Sequence, residues 1–237
     1  MRWYLLKTWH GREEELVDEI RRTVPPCLYR EAFVIYSQRV WRRQGRSIVH
    51  SEPLFKGCVF LTCKRTEPVF RRLEQVPAIS RLMAAGFVSV FPLIEKDAEF
   101  LEKISGDDHV VRLSHVLKEN RQEKENLWPE NTGAGQNSGQ TEGTGAEPLI
   151  YKISGPLEEC LKDVESIEFR KRFVKLRRKL WGEEQVIALG IILNEDVGQR
   201  MLYEGLNVSV ETPGDYAVLE IGRDMEGKKT YTLLQGA

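Results

Sequence analysis

One stretch of the chain constrains its fold more than any other. From Lys118 to Glu147 the sequence reads KENRQEKENLWPENTGAGQNSGQTEGTGAE, polar and rich in Gly, Asn, Gln and Glu, with Trp128 as the main apolar exception. Such a segment cannot bury enough surface to offset the entropy of ordering, and it reads as a flexible linker. A chain of 237 residues has room for one or two domains. The break therefore divides it into residues 1–117, a linker 118–147, and a C-terminal part that subdivides into 148–195 and an extension 196–237.

The first part has an α+β pattern. Trp3–Thr8 alternates as a short strand. Over Arg12–Val24, Leu16, Val17, Ile20 and Val24 fall on one helical stripe, with Glu13–Glu15 in the first turn and Pro25-Pro26 as a stop. Cys27–Val49 is β-prone, and Gln44-Gly45 is a hairpin tip. Val59–Cys63 is a buried strand. Glu67–Val76 forms a second amphipathic helix ending at Pro77, and Glu95–Ile104 a third. Phe87–Phe91 and Val110–Val116 are further strand candidates.

The second part has no helix-length periodicity. Leu149–Ser154, Val164–Ile167, Arg172–Leu180 and Gln185–Leu193 are short and β-prone, punctuated by Gly155-Pro156 and Gly182, which predicts a small barrel. In 196–237, Leu206–Glu211, Tyr216–Ile221 and Lys229–Leu234 predict β-hairpins turning at Pro213-Gly214-Asp215 and Glu226-Gly227.

With 35 basic and 36 acidic residues, net charge says nothing about partners, so local clusters carry the information. Arg39, Arg42, Arg43 and Arg46 surround the first hairpin, beside Tyr36 and Trp41. Arg170, Lys171, Arg172, Lys175, Arg177, Arg178 and Lys179 form a stretch without an acid. Guanidinium groups suit phosphate and aromatic rings stack on unpaired bases, so both clusters are candidate nucleic-acid sites; the bland alternative is a solvated strand face. No catalytic constellation emerges. The four histidines are scattered, phosphate-loop and nucleophile-elbow motifs are absent, and Cys27, Cys58, Cys63 and Cys160 lack metal-like spacing. No enzyme activity, cofactor or metal is expected. No apolar run approaches the roughly 18–20 residues of a membrane span, and the N-terminus lacks a signal-peptide pattern, so a cytoplasmic protein is expected.

The order of several motifs resembles the NusG transcription-factor family. Trp3-Tyr4-Leu5-Leu6-Lys7-Thr8 followed by Gly11-Arg12-Glu13-Glu14 is similar to that family's opening W-Y-x-L-x-T-x-x-G-x-E-E. Pro53-Leu54-Phe55-Lys56-Gly57-Cys58-Val59-Phe60 resembles its P-L-F-P-G-Y-V-F motif, with Lys56 in place of Pro and Cys58 in place of Tyr. Val76-Pro77 with Ile79, Arg81 and Leu82, and Val90-Phe91-Pro92-Leu93, match two later steps. In the second part, Ser154-Gly155-Pro156-Leu157, Ile167, Arg170-Lys171-Arg172, Val174, Leu176 and Gln185–Leu193 resemble a KOW domain, most nearly that of the specialised NusG paralogs called LoaP. Glu159 and Lys162 replace two glycines of that pattern.

The resemblance implies a NusG N-terminal domain, a four-stranded mainly antiparallel sheet with flanking helices, followed by an SH3-like KOW barrel and a β-rich extension. It implies a monomeric elongation and antitermination factor bound to the clamp helices of RNA polymerase. The implied polymerase contact maps onto Pro53, Leu54, Phe55, Gly57, Cys58 and Phe60, with Phe55 as its centre. The basic clusters would meet a leader RNA hairpin or nontemplate DNA, and the KOW barrel a ribosomal protein or termination factor; no membrane partner is implied. Two other readings stand beside this one: an RNA- or ribosome-binding module that needs no polymerase, and a thiol enzyme built on Cys58 or Cys63.

Overall fold

The computed structural model describes residues 1–43, 46–85, 90–118, 149–197, 200–203, 206–209, 217–223, 226 and 228–234. The segment 119–148, which holds nearly all of the expected linker, lies outside them, as do the expected turns 44–45 and 213–215.

In chain order the elements are β1 (Arg2–Lys7), α1 (Glu13–Thr23), β2 (Glu31–Phe33), β3 (Tyr36–Arg43), β4 (Arg46–Pro53), β5 (Cys58–Cys63), α2 (Thr66–Leu73), α3 (Pro77–Ala84), β6 (Val90–Pro92), α4 (Glu95–Ser105), β7 (Val110–Val111) and β8 (Ser114–Lys118). Then follow β9 (Leu149–Ser154), a 3-10 segment Pro156–Asp163, β10 (Val164–Glu168), β11 (Phe173–Leu180), β12 (Glu183–Leu193), β13 (Arg200–Tyr203), β14 (Leu206–Ser209), β15 (Ala217–Arg223) and β16 (Lys229–Leu234). The architecture is α+β with mixed sheets.

The first sheet has four antiparallel strands in the order β2-β5-β1-β6, with Leu5 opposite Phe60. Side chains alternate across a strand. Trp3 and Leu5 thus enter one apolar cluster and Tyr4 and Leu6 the other, and every residue of β5 is buried. Helices α1, α2 and α3 cover the Tyr4 face through Leu16, Val17, Ile20, Val69, Leu73 and Ile79. The Trp3 face packs in one continuous core with Phe100, Leu101 and Ile104 of α4 and with C-terminal residues, of which Trp181 lies against Phe60.

Helix α1 forms where its stripe predicts: acids occupy its first turn and Arg21 and Arg22 its last, complementing the helix dipole. The second helix departs from expectation. It stops at Leu73, and Pro77, read as a terminator, opens α3 at the first helical position, where a missing N–H costs nothing. A second departure is the 3-10 segment Pro156–Asp163, which buries Leu157, Cys160 and Leu161 where only strands were expected.

Long-range pairings join the two ends of the chain. A five-stranded sheet, β14-β13-β4-β3-β7, adds β13 parallel to β4. A seven-stranded sheet, β10-β11-β12-β8-β9-β15-β16, adds β12 parallel to β8. Strands from 200 onward therefore pair in two separate sheets.

Candidate functional site

Two surfaces contain the residues singled out in the sequence. The first surrounds Phe55. The bend after β4 is fixed by Gly57, whose φ of +69° favours glycine and whose added Cβ would lie 2.7 Å from the Thr8 carbonyl oxygen. The Gly57 N–H donates to the buried Glu13 carboxylate at 2.6 Å, tying this loop to α1. Phe55 is 6% exposed and stands edge-on to Phe60, at 6.1 Å between centroids. Its other neighbour is Trp181, edge-on at 5.1 Å.

Trp181 and Gly182 form the tight turn between β11 and β12, both with positive φ (+41° and +85°), which matches the twist of a hairpin. Three contacts hold this turn over Phe55. The Trp181 backbone N–H donates to Asp97 at 2.7 Å, Lys7 Nζ lies 5.6 Å from the Trp181 ring, and the Arg178 guanidinium lies 3.9 Å above the Phe100 ring. A Lys103–Glu159 ion pair at 2.5 Å adds a rim contact. Pro53 and Leu54 are half-buried, and Gly57, Cys58 and Phe60 are buried. The six residues are thus neighbours, and the apolar face they offer is closed by the β11–β12 turn.

Of the two thiols on β5, Cys58 lies on this face and Cys63 on the opposite one. Burial pushes Cys58 up, only partly offset by Lys7 at 3.6 Å, and burial likewise pushes Cys63 up. A catalytic thiol needs the opposite shift. Among the described residues no group of His, Cys, Asp and Glu could hold a metal ion.

The second surface brings together basic clusters that are far apart in sequence. Arg39 and Arg42 on β3 meet Arg170, Lys171 and Arg172 from the turn before β11, around two adjoining clefts of about 620 and 380 Å³. The guanidinium groups differ in what they do. Arg172 is 3% exposed and donates to fully buried Asp196 at 2.8 Å, to the Phe169 carbonyl at 2.5 Å and to Glu195. Arg42 also reaches Asp196 at 2.8 Å and Glu195 at 3.3 Å. Asp196 further accepts the Leu193 N–H at 2.9 Å. Burial would push its carboxyl up, but the Arg172, Leu193 and Arg42 hydrogen bonds outweigh that and hold it below the usual range. Arg39 donates to the Ala188 carbonyl at 3.0 Å and lies 4.7 Å over the Phe173 ring; burial lowers its pKa, with Glu52 opposing. These three arginines therefore build the joint between β3 and the C-terminal strands. Arg46, Arg170 and Lys171 are exposed and Lys175 is half-buried, while the Arg43 side chain lies outside the described residues.

Sequence reasoning missed Trp181, Asp196, Lys118, Tyr151 and Phe169. The first had a signal, an aromatic beside Gly182 at a strand boundary; the others depend on distant segments meeting.

Residues 1–101 match the NusG family, described as "Transcription termination factor nusG". That stretch contains β1 through most of α4 and the whole Phe55 loop. Nothing among curated proteins matches the chain. Among solved structures it is similar to one titled "Domain interaction in Thermotoga maritima NusG", at 18% identity and a TM-score of 0.39, covering 80% of this chain and 93% of that one. No described helix is long and apolar enough to cross a membrane.

Proposed function

We propose that the protein is a cytoplasmic, non-enzymatic transcription elongation and antitermination factor of the LoaP-like kind. It engages RNA polymerase through the face centred on Phe55 and touches nucleic acid through its basic clusters. The observation that carries this reading is the NusG match over residues 1–101, which includes the Pro53–Phe60 motif. The β-rich C-terminal region fits a KOW-like SH3 barrel, available to a ribosomal protein or termination factor. Because Trp181 covers Phe55, polymerase engagement requires the β11–β12 turn to move away.

The test is capture of core RNA polymerase by the full chain, since the Trp3 face shares its core with C-terminal residues. Trp181→Ala is expected to capture more polymerase than wild type, and Phe55→Ala in that background less. Absence of binding by both wild type and Trp181→Ala at micromolar concentration overturns the polymerase reading.

A second reading is favoured by the contrast between a covered Phe55 and open Arg170 and Lys171: an RNA-binding module that acts without polymerase. Its signature is affinity for RNA that falls steeply with salt, as phosphate contacts release counterions.

A further inference from the structure

The larger cleft has features that a plain joint between strands does not need. Its apolar side comprises Val116, Leu193 and an aromatic pair, Phe169 stacked on Tyr151 with centroids 5.3 Å apart and planes 19° apart. Tyr151 is buried, whereas Phe169 is only half-buried. Opposite this wall the cleft is basic. Lys118 and Arg170 line it, both exposed, and neither has a carboxylate partner among the described residues. The acids nearby are already engaged: Glu195 by Arg172 and Arg42, and Asp196 by the same two arginines. Among the described residues, four cations against two carboxylates leave the cleft positive, and Lys171 in the adjoining cleft adds to it.

The position of Lys118 is fixed from its backbone. Asn194 accepts its N–H at 2.5 Å and donates to its carbonyl at 3.1 Å. Asn194 belongs to the same short turn that carries Asp196. The ion-pair joint thus also positions the cation at the cleft. A volume of about 620 Å³ falls within the range of small-ligand sites.

We infer that this cleft is a nucleotide site, taking a base against Phe169 and its phosphate on Lys118 and Arg170. An inorganic anion would leave the aromatic wall unused, and an apolar ligand would leave the cations unused. A nucleotide uses both, because every base has a face to stack and every nucleotide a phosphate. The ligand is either free or part of a single strand. The inference extends the nucleic-acid half of the proposed function and is independent of polymerase. A chain that captures polymerase but binds no nucleotide overturns the cleft site alone.

The experiment uses the full chain, a fluorescent single-stranded oligoadenylate, and AMP as competitor at millimolar concentration. Lys118→Gln with Arg170→Gln alters only exposed side chains, so the fold is retained; it is expected to weaken oligoadenylate binding about tenfold or more. Phe169→Leu is expected to weaken it by about tenfold. Lys64→Gln, at an exposed cation that lines neither cleft and belongs to neither basic cluster, is expected to bind as wild type. A strand carrying a photoreactive thio-base is expected to crosslink to Phe169 or Tyr151. Competition by AMP identifies a free-nucleotide site; binding of the strand without AMP competition identifies a strand site. The inference is overturned if neither probe binds, if the double variant binds as wild type, or if Lys64→Gln loses as much as the double variant.

Discussion

Replacing Asp196 with Ala tests the joint that assembles both clefts. Asp196 is fully buried, its principal partner Arg172 is 3% exposed, and Arg42 and the Leu193 N–H complete its shell. Removing the carboxylate leaves the Arg172 charge buried with one oxygen partner on Glu195 and one on the Phe169 carbonyl. Breaking a buried ion pair from one side costs about 3–5 kcal/mol. The surviving partners place this case at the lower end, about 3 kcal/mol. For a chain of this size that corresponds to a fall in Tm of roughly 6–12 °C. The assay is thermal and urea unfolding of wild type and variant. Asp196→Leu combined with Arg172→Met removes both charges and is expected to recover much of the loss.

The pH arm follows from the depressed carboxyl. Its contribution is present above the unfolded value and is lost as pH falls through the lower folded value. The stability gap between wild type and Asp196→Asn should stay constant from neutral pH to about pH 4 and close only below it. A loss under about 1 kcal/mol, or a gap already closing between about pH 7 and 5, refutes the assignment of this pair as the joint.

Other expectations are more local. Gly190→Ala puts a Cβ 2.2 Å from the Gln38 carbonyl oxygen and 2.6 Å from Leu113 Cδ2, so β12 must move from β3; a loss of about 2–3 kcal/mol is expected in urea unfolding, and none would refute that approach. Gly57→Ala combines a positive φ with a 2.7 Å contact to Thr8 and is expected to cost roughly 1–3 kcal/mol, whereas an unchanged midpoint would show the loop is freer than described. Alkylation of the native protein at pH 8 should label exposed Cys27 first and leave Cys160, pushed up to about 12 mainly by burial, unmodified until denaturation; equal rates would contradict its burial.

What the sequence made legible was what neighbours in the chain decide. The Trp3–Thr8 alternation, the α1 stripe and the apolar run Val59–Cys63 are each local signals, and each forms its element, the first as a strand that ends at Lys7. Pro77 misleads because proline both ends one helix and begins another, and only the geometry of the following turn distinguishes them. The 3-10 segment follows Gly155, whose φ of +86° has no period to announce it. The basic clusters were visible as composition. That Arg39 and Arg172 would turn inward, and that Arg42 would pair with Asp196, was not, because their acceptors, Asp196 and the Ala188 carbonyl, lie far along the chain.

The parallel pairing of β13 with β4 sets a timetable for synthesis. Ile48 meets Leu202, so the outer edge of the β3–β4 hairpin has no partner strand until more than 150 further residues have been made. At roughly 5–20 residues per second that interval is on the order of ten to thirty seconds. An unpaired edge is a template for association with other chains. During that interval the nascent hairpin depends on its own charged residues, Arg39, Arg42 and Arg46 among them, to discourage a neighbour. The arginines that later knit the two ends together would thus first serve as guards on the ribosome.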